Sequence, residues 1–135
     1  MPTPRELDRE LTLRTAVARY EDLRLRDALV DPEDPDGPNP LDRTEALELL
    51  ALGEVIALKA VTGRQLTVRS ARSAGASWAH IGQALGTTRQ AAWEAHTRWI
   101  DAQADRRDDE RGLGFTPDDV ARARRLAGSP DDENP

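Results

Sequence analysis

The sequence predicts an all-α protein in which a trihelical unit follows long N-terminal helices. Three observations carry that prediction. Apolar residues return at helical spacing through most of the first hundred positions. Prolines and a glycine interrupt the pattern at 31–40, and single glycines at 63, 75 and 86 mark further ends. Residues able to cap a helix, Asp42, Ser77 and Thr88, stand where the apolar spacing begins again.

Residues 5–30 read as one helix. Pro4 suits a helix start, and Leu13, Ala16 or Val17, Tyr20 and Leu23 make one apolar stripe. The stretch DPEDPDGPNP at 31–40 carries four prolines and four acids and reads as an exposed linker. A second helix starts at Asp42, with Glu45 as the capping-box partner. Leu47, Leu49, Leu50, Leu52, Val55, Ile56, Leu58 and Val61 exceed one narrow stripe, so this helix calls for burial on more than one side. Gly63 kinks or divides it before a helix over 64–74, with Leu66 and Val68 facing inward and Gly75 as its stop. Residues 1–63 thus read as an N-terminal helical, dimerising region and 64–100 as the trihelical unit. Residues 101–135 read as a polar tail with a short helix over 117–127, opened by Pro117, Asp118 and Asp119, and a disordered acidic end.

Composition sets limits on function. With 135 residues, 38% apolar and 4% aromatic, one chain has modest core material, which pairing with a second copy would enlarge. There is no cysteine, and His80 and His96 are the only histidines, so no metal or cofactor is expected. No eighteen-residue apolar stretch occurs and the opening MPTPRELDRE is polar rather than signal-like; the expectation is a cytoplasmic protein without a membrane segment. Net charge is −6, yet 55–100 holds Lys59, Arg64, Arg69, Arg72, Arg89 and Arg98 against the single acid Glu94. One basic block stands in an acidic chain.

That block contains the most specific pattern. Ser77 caps a helix whose Trp78, Ile81 and Leu85 face inward. Gly82 falls where two crossing helices leave no room for a side chain, and Gly86 can turn the chain in the left-handed conformation. Thr88, or else Thr87 with Gln90 as its partner, opens the next helix. Ala92, Ala95 and Trp99 then face inward, while Arg89, Gln90, Trp93 and Glu94 face outward. This spacing is that of a helix-turn-helix, whose second helix enters the DNA major groove.

The string A-G-x-S-W-x-x-I-G-x-x-L-G-x-T-R-Q-A-A-W-E over 74–94, about a sixth of the chain, resembles the helix-turn-helix of small DNA-binding proteins common in high-GC actinobacteria. It is similar, more distantly, to the DNA-reading helices of sigma factor region 4. The resemblance implies that Thr88, Arg89, Gln90 and Trp93 face DNA. Thr87 departs from it where an aliphatic residue usually packs the turn, with Trp99 offered as the missing bulk; Ala95-His96 replaces a basic-aromatic pair.

The expected function is sequence-specific binding of double-stranded DNA by a homodimeric transcription regulator. The candidate contacts are Thr87, Thr88, Arg89, Gln90, Trp93 and Arg98, with Arg69 and Arg72 on the preceding helix reaching phosphates. The plainer alternatives are a solvated arginine face at 64, 69 and 72, a partly packed Trp93 and two solvated histidines. The rival function is a protein-interaction module engaging a sigma factor, polymerase or phage component. No catalytic constellation or phosphate-binding glycine loop occurs, so an enzyme is not expected.

Overall fold

The computed structural model describes residues 3–107 and 114–133. Among them the secondary structure is entirely helical, in two compact units, Met1–Gly63 and Arg64–Pro135.

The first unit holds α1 (Pro4–Glu10), α2 (Leu13–Ala28) and α3 (Arg43–Thr62). The single helix expected over 5–30 is therefore two. Leu11 takes an extended backbone, and Thr12 and Thr15 exchange amide-to-hydroxyl bonds of 2.9 and 3.1 Å. Such hydroxyls offer the backbone a partner that a continuous helix does not, so α2 starts afresh at its own cap. The break lets α1 lie on α3, where Leu7 is buried and Lys59 Nζ reaches both the Asp8 carboxylate and its carbonyl at 2.9 Å. Ala16, Leu23, Leu52 and Val55 complete the core. Leu13, expected on that stripe, is exposed instead.

Arg19 forks onto Glu48 at 2.8 and 3.1 Å, and Arg26 pairs with Glu45, joining α2 to α3. The connection at 31–40 is irregular, with Asp31 and Asp34 each accepting an amide two residues on. Asp42 and Glu45 form the expected capping box. Only one side of α3 is covered within this unit: Leu50 is 69% exposed, and Leu58 and Val61 are exposed near the same side.

The second unit holds α4 (Arg64–Ser73), α5 (Trp78–Leu85), α6 (Arg89–Arg107) and α7 (Pro117–Ala127). Its core is Val68, Trp78, Ile81, Ala92, Ile100, Ala123 and Ala127. Leu66 and Leu85, expected inside, are exposed at 48% and 38%. The polar tail expected over 101–135 is revised. The short helix over 117–127 is present as α7, but it supplies two core alanines, and its Arg124 pairs with Asp101 of α6 at 2.6 Å. The end expected to be disordered folds into a turn at 129–132, closed by Ser129 and Asp132. Residues 108–113 and 134–135 of that segment lie outside the described residues.

His96 is the largest departure from expectation. Predicted as a solvated residue, it is 1% exposed, stacked on Trp99 at 5.3 Å and tilted against Trp78 at 5.5 Å. Its Nδ1–H donates to Gln65 Oε1 at 2.9 Å, because an amide oxygen can only accept. Burial, with Arg69 and Arg72 nearby, lowers its pKa from 6.5 to about 4. The unfolded chain then binds a proton that the folded one does not. Stability is full above the unfolded value and falls as pH drops from 6.5 toward 4. Denaturant unfolding should show a loss of about 2 kcal/mol between roughly pH 7 and 5. In His96→Gln that slope should vanish; an unchanged slope would remove the assignment to this residue.

Candidate nucleic-acid interface

The connection from α5 to α6 is three residues long, and two of its amides close it. Gly86 N–H donates to Gln83 O at 3.2 Å and Thr87 N–H to Gly82 O at 2.8 Å, the paired closure of a Schellman turn. Gly86 has φ 70°, which a residue with a Cβ adopts at a cost. Thr88 then accepts the Ala91 amide at 3.0 Å, which decides between the two threonines for the cap of α6. The α4-to-α5 connection repeats the design: Gly75 and Ala76 amides return to Arg72 and Ala71 carbonyls, and Ser77 caps α5 with His80 completing the box. Glycine, one spacer and a hydroxyl residue thus build both corners.

Gly82 explains how closely α5 meets the start of α6. A Cβ there would lie 2.9 Å from Arg89 N, Thr87 O and Thr88 C. These are backbone atoms with nowhere to go, so only hydrogen fits. The crossing holds residues 87–90 at the surface, where all four are exposed. Arg89 makes an ion pair with Asp131 at 3.2 Å, and Gln90 donates to Glu94 at 2.9 Å. Both contacts are solvent-facing and readily exchanged. Arg98 is also exposed, two turns along α6 from Gln90, about 12 Å down the axis.

Three expected contacts are committed elsewhere. Trp93 is half-buried and its Nε1–H donates to Gly128 O at 2.8 Å, in keeping with the packed alternative. The Arg69 guanidinium lies over Trp99 and Phe115, 6.0 and 5.7 Å from the ring centroids, so its head is engaged by aromatic rings. Arg72 is a correction. It is fully buried, and its guanidinium donates to the carbonyls of Leu126, Ala76 and Ala127. Neither a phosphate nor bulk water reaches it. Thr87 is exposed and does not pack the turn; Trp99, half-buried between His96 and Phe115, supplies bulk on the inner side.

The basic block is also redistributed. Lys59 belongs to the first unit, which carries eight basic and fourteen acidic residues; the second carries eleven of each. The positive character at the α6 start is local, set by Arg89 and the free amides of a helix N-terminus.

Sequence reasoning missed the segment 126–132, which meets Trp78, Trp93, Arg72 and Arg89. The two indole N–H groups and the buried guanidinium needed acceptors, but nothing in their spacing points to carbonyls thirty-five to fifty-five residues away. Among the described residues no cluster of metal-ligating side chains occurs, and no helix is long and apolar enough to cross a membrane. No protein-family model, curated protein or solved structure matches the chain.

Gly82→Ala should lower the melting temperature and cost about 1–3 kcal/mol, because backbone must move. Gly53→Ala, in α3 with only a Tyr20 ring carbon at 3.6 Å, should be neutral or stabilising. Thermal unfolding of both variants checks this; equal effects would mean that the α5–α6 approach is not tight.

Proposed function

We propose that the second unit is a trihelical helix-turn-helix that binds double-stranded DNA, and that the chain works as a homodimeric transcription regulator. The observation that carries this reading is the tightly closed corner at Gly82–Gly86–Thr88, which presents Arg89 and Gln90 on the first turn of a nineteen-residue helix. Residues 87–90 stay outside the core, which α6 joins at Ala92. Arginine at such a position matches the two acceptors of guanine and glutamine those of adenine. The amides at the start of α6 that have no acceptor within the helix suit a phosphate. Thr87, Thr88 and Arg98 are exposed and fit backbone contacts. Trp93, with its indole already bonded, acts in support of the helix rather than as a reader.

The dimer is supported by the first unit. Leu50, Leu58 and Val61 line an exposed stretch of α3, and a surface groove beside it is walled by Tyr20, Leu41 and Leu49 together with Arg24, Asp27 and Glu54. A second copy covering that stretch would supply the burial that one chain lacks. In such a dimer the two reading helices would meet successive major grooves of a palindromic site, about 34 Å apart along the DNA.

Light scattering should give a mass twice the 14.9 kDa of one chain, and Leu50→Glu, on a residue already 69% exposed, should return it to the monomer. Affinity for genomic fragments should fall about tenfold in Arg89→Ala, with preference relaxed at one base pair. No retained fragment at low salt, together with a stoichiometric protein partner in a pull-down, would replace the DNA reading with the interaction module.

A further inference from the structure

We propose that the acidic segment 129–133 is an intramolecular competitor for the DNA backbone at the start of α6. This rests on the DNA-binding reading above. The segment is delivered there by bonds that do not involve its own charges. Trp78 Nε1–H donates to Ala127 O at 2.7 Å and Trp93 Nε1–H to Gly128 O at 2.8 Å, so the end of α7 is tied beside α5 and α6. A turn follows in which Asp132 accepts the Ser129 amide at 2.7 Å and the Ser129 hydroxyl at 3.0 Å. Ser129 and Asp132 hold the turn; Asp131 and Glu133 do not.

Asp131 instead meets Arg89, the residue assigned to base reading, at 3.2 Å. The surface pocket at this place has Ser77, His80 and Arg89 on one side and Asp131, Asp132 and Glu133 on the other. Three carboxylates therefore stand where a phosphate run would pass. Hydrogen bonds from Ser129 hold the Asp132 carboxyl below the ordinary carboxylate range, so it remains charged at neutral pH. The Arg89–Asp131 pair is open to water, with side chains 58% and 77% exposed, and is weak enough to be exchanged for a phosphate. Until it is exchanged, Arg89 is occupied and its charge is offset by the carboxylate. Because the pair must open before any duplex engages Arg89, the contact weakens binding to random and cognate DNA by the same factor.

The test compares the full chain with Asp131→Asn/Glu133→Gln and with Glu10→Gln/Glu21→Gln, which removes the same charge from the first unit. Each is titrated with random-sequence duplex and with fragments retained from genomic DNA. At about 50 mM salt the 131/133 variant should bind random duplex roughly three- to tenfold tighter, with a comparable gain on retained fragments. The gain should shrink at about 200 mM salt, and the 10/21 variant should match the parent. Equal affinities of the parent and the 131/133 variant, or an equal gain from the 10/21 variant, would overturn the competitor while leaving DNA binding intact. Failure of every form to bind any duplex would overturn both.

Discussion

The guanidinium of Arg72 sits buried inside the second unit, and its hydrogen bonds go to backbone carbonyls rather than to a carboxylate. A buried charge is costly unless its donors are all engaged by something electronegative. Two of its acceptors, Leu126 and Ala127, are at the C-terminal end of α7, where the helix dipole is negative and the last carbonyls lack helical partners. The third, Ala76, belongs to the corner between α4 and α5. Trp78 lies 5.2 Å from the same cation and sends its own N–H to Ala127. One charge thus ties α4, the first corner and the end of α7 around a single tryptophan. Burial lowers the Arg72 pKa from the ordinary arginine value, and the carbonyls are what make that position tolerable.

The α5–α6 corner depends on this arrangement. Trp78 opens α5, so the bonds that fix Trp78 also fix the helix whose Gly82 seats the start of α6. Inward residues of α6, Ala92, His96 and Ile100, then meet the same core and leave residues 87–90 outside it. Rigidity at the corner is what a reading head requires, since a side chain must be held in register with base edges. The acidic segment is held at that head by the same carbonyls that satisfy Arg72 and the two indoles. Packing and the proposed regulation therefore share one set of bonds.

Much of this was legible in the sequence because it is local. The capping box at Asp42, the cap at Ser77, the ends at Gly75 and Gly86, and the crowding at Gly82 each depend on residues within about seven positions. Thr12 and Thr15 carried the signal for the break in the first helix, but the apolar stripe on either side masked it. What could not be read was long-range. Arg72 and Arg69 look like solvated cations from spacing alone, because a buried arginine is identified by its acceptors. His96 replaced an expected aromatic, and only the rings of Trp78 and Trp99 show that it fills the same space. Residues 101–135 read as a tail because their composition is polar, whereas α7 needs only small residues, Ala123 and Ala127, to dock.

The central claim is that DNA meets the first turn of α6. It is tested most directly by titrating the isotope-labelled full chain with a duplex recovered from genomic selection and following each backbone amide by NMR. The account predicts that the largest shifts fall at residues 87–91, with the Arg89 and Gln90 side chains moving beside them. Shifts concentrated on α3 or on the last turns of α6, with 87–91 unmoved, would contradict it.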